Sequence, residues 1–254
     1  MKLDIAFNFR RMYIKKTWIY GNRIEQRKYF TSRYGIRGEK REQKKHPTEE
    51  SIARANERAA EQRLMRLLVG NFDQGDHFLT LTYKKDARPT VEESKKILRR
   101  FFEKLRREYQ RAGEDLKYII TTEWNGKSIH HHVVINDVPG FSRMISRLWP
   151  YGGQHYSPLY ADHDYQGLAE YMIKETRETF RDKGNPFKQR YSCSRNLKKP
   201  IEKVEIIKAG NWKETPSVPP TLKKEGYILD IDSVVTGVDA FGYPFQAYTF
   251  IKRE

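Results

Sequence analysis

The sequence predicts an α+β fold in which an antiparallel β-sheet is flanked by helices. Two stretches rich in β-branched residues, 117–124 and 129–136, surround a short turn, which is typical of a β-hairpin. Further strand patterns occur at 77–83, 154–160 and 191–194, and amphipathic helical patterns lie between these segments. The resulting order, β-α-β-β-α-β-α-β, predicts a ferredoxin-like antiparallel sheet with the helices mainly on one side.

Three consecutive histidines lie in the second strand of the hairpin. Because side chains alternate between the two faces of a strand, His130 and His132 share one face and His131 points to the other. Two imidazoles on one strand face are a ready pair of metal ligands. The alternative is a polar strand edge on which histidines cluster without binding a metal.

The first strand of the hairpin adds a carboxylate to this pair. Asn125-Gly126 is a strong two-residue turn signal, and such a turn would pair Thr121 with His130. Glu123 then lies on the face of His130 and His132, diagonal to His130. Two imidazoles and a carboxylate suit a divalent ion that keeps open positions. A solvated hairpin carboxylate is the alternative for Glu123, and a longer turn would change the register.

A helix over 166–180 supplies a candidate nucleophile. Its two sides, at about 100° per residue, are formed by Met172, Ile173, Thr176 and Phe180 and, opposite them, by Tyr171, Lys174, Glu175 and Glu178. Tyr171 therefore lies off the apolar stripe, with Lys174 one turn away. A cation beside a phenol favours phenolate and can steady a phosphate. The alternative is an ordinary surface tyrosine beside a solvated lysine.

Together these residues resemble a known family. The H-x-H strand followed by Tyr-x-x-Lys on a helix is similar to the HUH endonucleases, in their replication-initiator (Rep) branch. The segment 78–83 resembles the family's first-strand motif, and 191–200 resembles the segment that closes the nuclease domain in rolling-circle initiators of bacterial plasmids and phages. In relaxases, the other branch, the tyrosine precedes the histidines, whereas Tyr171 follows them. His131 departs from the family pattern, which has an apolar residue there.

The resemblance implies an HUH nuclease fold and a single-tyrosine enzyme that nicks single-stranded origin DNA by transesterification. Tyr171 would become linked to the 5′ phosphate and free a 3′ hydroxyl, in a reversible step that starts and ends rolling-circle replication. His130, His132 and Glu123 would hold one Mg²⁺ or Mn²⁺ ion, and Lys174 would position the phosphate. The expected partners are an origin hairpin and a host helicase, and the expected location is the cytoplasm of a bacterium carrying a plasmid, phage or integrated element.

The composition agrees with a nucleic-acid partner. The 254 residues carry 49 Lys and Arg against 33 Asp and Glu, so the net charge is +16, and such a charge favours a polyanion. The 13% of aromatic residues suits base stacking better than membrane binding, and no apolar run is long enough to span a membrane. The single cysteine, Cys193, excludes an internal disulfide and a cysteine-based zinc site. The predicted DNA contacts are Arg10, Arg11, Lys15, Lys16, Arg195, Lys198 and Lys199.

Three regions are predicted along the chain. Residues 1–72 form a basic arm and a bracing helix that runs from about 48 to 68, 73–208 form the endonuclease domain, and 209–254 form a β extension. The basic and aromatic residues of the arm could follow a DNA strand, or simply form a strand pair covered by lysines. The two C-terminal strands could extend the nuclease sheet or form a small lobe.

Other functions fit parts of the pattern. A transposase or mobilisation nuclease of the same superfamily would share the chemistry. A non-catalytic RNA or DNA binder can have the same topology, but the histidine strand lacks the aromatic pair of RNA-recognition domains. A zinc hydrolase would leave Tyr-x-x-Lys unexplained.

Overall fold

The computed structural model describes residues 12–31, 48–124, 128–160, 165–182, 184–207, 212–239 and 242–253. The helices and strands are labelled in chain order, and the predicted α+β class is confirmed. They are β1 (Met12–Tyr20), β2 (Arg23–Thr31), α1 (Glu49–Asn71), β3 (His77–Leu81), α2 (Val91–Arg111), β4 (Tyr118–Trp124), β5 (Ile129–Ile135), α3 (Phe141–Leu148), β6 (Gln154–Pro158), α4 (Tyr165–Glu175), α5 (Arg177–Arg181), β7 (Tyr191–Cys193), β8 (Ile201–Ile207), α6 (Pro220–Lys224), β9 (Tyr227–Val238) and β10 (Pro244–Lys252).

The chain divides into two compact units. The central unit is 49–198, and the second unit combines the described residues of 1–48 with those of 199–254. These boundaries differ from the predicted 1–72, 73–208 and 209–254 at two elements. Helix α1 lies in the central unit, and β8 pairs with β1 in the second unit.

The central unit contains a five-stranded sheet in the order β6-β3-β5-β4-β7, and every neighbouring pair is antiparallel. On one face, Leu79, Val133 and Ile135 pack against the apolar sides of α2 and α3. The capping box predicted at Thr90 and Glu93 begins α2. This face is the main hydrophobic core of the unit.

The other face of the same sheet carries the histidines and is covered by α4. The Tyr171 ring of α4 lies against Phe78 of β3 and His132 of β5, and α1 packs on α4. The helices therefore lie on both faces of the sheet, whereas the sequence predicted them mainly on one. The second layer encloses polar side chains against the sheet, which the apolar periodicity of the strands does not indicate.

Helix α1 differs from its predicted bounds and face. It continues through Gly70 to Asn71, whose side-chain amide donates to the carbonyl oxygens of Leu67 and Lys198. Ile52 was expected on the buried side but is 45% exposed, whereas Glu57 is buried because it pairs with Arg177. The buried stripe thus follows the ion pair in this half of the helix.

The register of the β4–β5 hairpin differs from the predicted one by two residues. Glu123 stands directly opposite His130, and Thr121 stands opposite His132. Because Trp124 pairs with Ile129, the connection is 125–128 instead of the two-residue turn. Residues 125–127 of this connection lie outside the described part of the chain. A shift by two preserves the face of every side chain, so Glu123 still shares a face with both histidines.

The second unit has its own five-stranded antiparallel sheet, in the order β8-β1-β2-β10-β9. The C-terminal strands are longer than the predicted 226–231 and 245–251, and they pair with β2 instead of extending the nuclease sheet. Ile24, Tyr248 and Phe250 form a buried cluster beside this sheet. None of the helices that the structure describes has the length and apolar character needed to cross a membrane.

Candidate metal and nucleophile site

His131 is separated from the other two histidines by the pleat of β5. It is fully buried, with its Nε2 atom 3.0 Å from the Tyr83 hydroxyl and its Nδ1 atom 3.0 Å from the Thr122 hydroxyl. Burial lowers the pKa of His131 to about 3, with a smaller contribution from the neighbouring histidines. The residue is therefore a neutral core imidazole, with both ring nitrogens already bonded.

Glu123 lies between the two remaining imidazoles. Its Oε2 atom is 3.4 Å from Nδ1 of His130 and 3.7 Å from Nε2 of His132. The His132 side chain, with help from His130, lowers the pKa of the Glu123 carboxyl despite the opposing effect of partial burial. The three residues predicted as metal ligands thus meet on one face, with a carboxylate that stays ionised.

The ring of His132 is buried and held in a fixed orientation. Its Nδ1 atom is 3.3 Å from the Thr80 hydroxyl, and its plane is parallel to the Phe78 ring, with centroids 5.9 Å apart. In the tautomer that donates from Nδ1 to Thr80, Nε2 carries the lone pair. Nε2 is buried and has no hydrogen-bond partner in the described part of the protein. A buried ring nitrogen with a free lone pair fits a metal ligand.

A second carboxylate, which the sequence did not indicate as a ligand, completes the cluster. Glu123, His132 and Glu175 each offer one ligand atom, and these atoms lie within 4.8 Å of one another. The sequence placed Glu175 only on the same helix side as Tyr171. The signal that points to it is its position one turn after Tyr171, on the helix that packs over the histidine face. Two carboxylates and an imidazole are a donor set that suits Mg²⁺ or Mn²⁺.

Tyr171 lies at the edge of this cluster. Its side chain is 42% exposed, and its ring meets the His132 ring edge to face, with centroids 5.5 Å apart. Partial burial and the Glu175 and Glu123 carboxylates raise the pKa of the Tyr171 phenol above its ordinary value. The sequence predicted the opposite shift, towards phenolate, from Lys174. The two carboxylates outweigh that lysine in the protein alone.

Lys174 and Tyr171 line one side of an open groove of about 740 Å³, whose other wall is α1. Lys174 is exposed, in line with its predicted place off the apolar side. Met172 and Ile173 are fully buried, which fixes the rotation of α4. Tyr165, six residues before Tyr171, is buried and donates its hydroxyl to the Phe72 carbonyl oxygen, so Tyr171 is the accessible tyrosine of this helix.

The predicted DNA contacts have different environments. In the second unit, Lys15 pairs with Glu205 at 2.7 Å and Lys16 pairs with Glu202 at 2.6 Å. Arg195, Lys198 and Lys199 are exposed at the ends of their respective units, while Arg10 and Arg11 lie outside the described residues. The structure therefore offers Arg195, Lys198 and Lys199 to solvent but occupies Lys15 and Lys16 with carboxylates.

Residues 76–176 match a family of replication-associated proteins, the ORF2 family. The match runs from the start of β3 to the end of α4 and contains Glu123, both candidate histidine ligands, Tyr171, Lys174 and Glu175. No curated protein and no solved structure matches the chain. The central unit is therefore similar, over the span that holds the whole candidate site, to replication-associated proteins.

Proposed function

We propose that the chain is a single-tyrosine endonuclease that nicks single-stranded DNA at a replication origin and so starts and ends rolling-circle replication. The observation that carries this proposal is the contact of the half-exposed Tyr171 with His132, whose buried Nε2 faces Glu123. These residues lie within the span that is similar to replication-associated proteins.

In the proposed reaction the Tyr171 oxygen attacks the scissile phosphorus in line. A bond forms between this oxygen and phosphorus, the bond from phosphorus to the 3′ oxygen breaks, and the phenol proton leaves to solvent while the 3′ oxygen takes one up. The product is a 5′-phosphotyrosine and a free 3′ hydroxyl. Lys174, one turn from Tyr171 and exposed in the same groove, positions the phosphate and balances its charge.

The residues that would hold a divalent ion are Glu123, His130 and His132, with Glu175 within reach of the same point. Mg²⁺ or Mn²⁺ bound there would stabilise the added charge on the phosphate and orient the strand. Thr80 keeps His132 in its ligand tautomer, and Phe78 holds the plane of the ring. Partial burial of the Glu123 carboxylate limits the access of competing water to its oxygens.

The proposed substrate is origin DNA exposed as a hairpin in the bacterial cytoplasm, with a host helicase as a further partner. The net charge of +16 supports a polyanionic substrate, and the exposed Arg195, Lys198 and Lys199 are proposed backbone contacts. A transposase or mobilisation nuclease would use the same site and differ only in biological role.

The test uses Mn²⁺ and a pool of end-labelled single-stranded origin-like oligonucleotides, analysed on a denaturing gel. The wild-type protein is expected to give a metal-dependent, protease-sensitive adduct, and Tyr171→Phe is expected to give none while its DNA affinity stays unchanged. Tyr160→Phe is the matched control, because Tyr160 is 72% exposed in the same unit and remote in sequence from the ligands. An active Tyr171→Phe would refute the nucleophile. Tight binding without any adduct would favour the non-catalytic binder.

A further inference from the structure

A cluster of partly exposed aromatic rings lies on one face of the sheet of the second unit. Tyr13 of β1 contacts Phe30 of β2 edge to face at 5.6 Å and the Trp212 ring at 4.9 Å. Phe30 in turn stacks on Tyr243 with centroids 3.7 Å apart. The four rings, Tyr13, Phe30, Trp212 and Tyr243, are called the aromatic patch. All four are only partly buried, so they present ring surface to solvent.

Lysines accompany the aromatic patch. Lys15 and Lys28 stand directly opposite each other in the β1–β2 pairing, on the face of Tyr13 and Phe30. Like charges in this position destabilise a sheet. The Lys28 ammonium lies 5.9 Å from the Trp212 ring and 5.3 Å from the Tyr248 ring. Burial and the positive charges of Lys15 and Lys213 lower the pKa of Lys28.

Lys28 has no carboxylate partner among the described residues; its polar contact there is the Gln246 side-chain oxygen at 3.4 Å. Lys15 pairs with Glu205, which offsets only one of the two opposed charges. One acidic group, Asp239, is close enough to Tyr13 to raise the pKa of its phenol. The uncompensated positive charge is therefore at the Lys28 and Trp212 end of the patch.

The opposite face of the same sheet shows what a compensated arrangement is. There Lys16 stands opposite Arg27, and both cations lie over the Trp18 ring, at 5.2 and 5.4 Å. Lys16 pairs with Glu202 at 2.6 Å and Arg27 pairs with Glu25 at 2.8 Å. The same pattern of opposed cations around an indole is thus neutralised on one face and left open to an anion on the other.

We propose that the aromatic patch, with Lys28 and Lys213, is a second binding surface, for single-stranded nucleic acid. A phosphate would take the place of the missing carboxylate at Lys28, and bases would stack on the exposed rings of Trp212 and Tyr13. The strand must be single because paired bases cannot offer their faces to these rings. This surface lies in the second unit and is separate from the candidate nicking site in the central unit.

The test measures binding of the full-length protein to a fluorescent oligo(dT) of about 16 nucleotides in EDTA, at several salt concentrations. Lys28→Gln is expected to weaken binding about fivefold and to reduce the slope of log affinity against log salt by about 0.7. Trp212→Leu is expected to weaken binding about tenfold and to remove part of the tryptophan fluorescence quenching by the oligonucleotide. Lys224→Gln is the control, because it removes the same charge from an exposed position of the same unit outside the patch.

Thermal midpoints of the variants show whether they are folded. If folded Lys28→Gln and Trp212→Leu both bind as tightly as Lys224→Gln, with the same salt slope, the surface does not bind nucleic acid. Competition by duplex DNA of equal length as effective as by oligo(dT) would overturn the single-strand assignment. Absence of the covalent adduct in the wild type would refute the proposed nuclease and leave this inference intact, because binding is measured without metal.

Discussion

The hydroxyl of Thr179 bonds to both backbone groups of Trp124: it accepts from the amide at 2.9 Å and donates to the carbonyl oxygen at 3.0 Å. Thr179 is fully buried in α5, directly after the helix of Tyr171, and Trp124 follows Glu123 at the end of β4. Strand β7 pairs with β4 only over 119–121, so Thr179 takes the place of a neighbouring strand at this end. The contact ties the nucleophile segment to the ligand strand.

We therefore expect Thr179→Val to slow adduct formation about tenfold and to raise the Mn²⁺ concentration needed for half-maximal rate, because small displacements of a reacting group are costly. The unpaired backbone groups of Trp124 would also lower the unfolding free energy by about 1–3 kcal/mol. Thr179→Ser keeps the hydroxyl and is expected to restore the metal dependence. Single-turnover nicking at several Mn²⁺ concentrations measures the effect.

Thr176→Val is the matched control for that experiment. The Thr176 hydroxyl is equally buried, but it donates to the Ile173 carbonyl oxygen and accepts from Arg190, without contact to β4. This variant is expected to lose a similar unfolding free energy and to keep the metal dependence of the wild type. Identical metal profiles for Thr179→Val and Thr176→Val would reduce Thr179 to a purely structural role.

Glu175 is expected to contribute to metal affinity. Its ligand atom lies within 4.8 Å of those of Glu123 and His132, so Glu175→Gln removes one negative charge from the cluster. We expect Mn²⁺ binding, measured by calorimetry without DNA, to weaken about tenfold or more. Glu170→Gln removes a charge from the same helix, where the carboxylate is exposed and bonded to Gln166, and is expected to bind Mn²⁺ as the wild type does. Equal affinities for the two variants would exclude Glu175 as a ligand.

The local parts of the site were predictable from sequence because strand alternation survives errors of register. The predicted β4–β5 pairing was wrong by two positions, yet Glu123, His130 and His132 share a face, since an even shift preserves the pleat. Glu175 was missed because its role depends on how α4 packs over the sheet. That placement is set by tertiary contacts, among them the buried pair of Arg177 with Glu57, which are 120 residues apart.

The division into two units was harder to predict for the same reason. Strand β8 follows the central unit in the chain but pairs with β1, and β10 pairs with β2. These pairings join the two ends of the sequence, and no local pattern specifies a partner so far away. The buried Glu57 likewise defeats an apolar periodicity in α1, because its burial is compensated by an ion pair and not by apolar neighbours.

His131 is expected to make the stability of the protein dependent on pH. Its folded-state pKa of about 3 lies below the ordinary value of 6.5, because the ring is buried and neutral. The unfolded chain therefore binds a proton more readily, so the contribution is present in full above pH 6.5 and is lost as the pH falls from 6.5 towards 3. Between pH 7 and pH 5 this amounts to a loss of about 2 kcal/mol.

The measurement is the unfolding free energy from urea titration at several pH values between 7 and 5, for the wild type and His131→Gln. The glutamine amide cannot titrate, and it retains a donor and an acceptor for Tyr83 and Thr122, the two hydroxyl partners of His131. The variant is expected to be less stable at pH 7 but to lose about 2 kcal/mol less than the wild type on acidification. Parallel pH profiles for the two proteins would mean that His131 takes up its proton in the folded state as easily as in the unfolded chain, and that its burial does not keep it neutral.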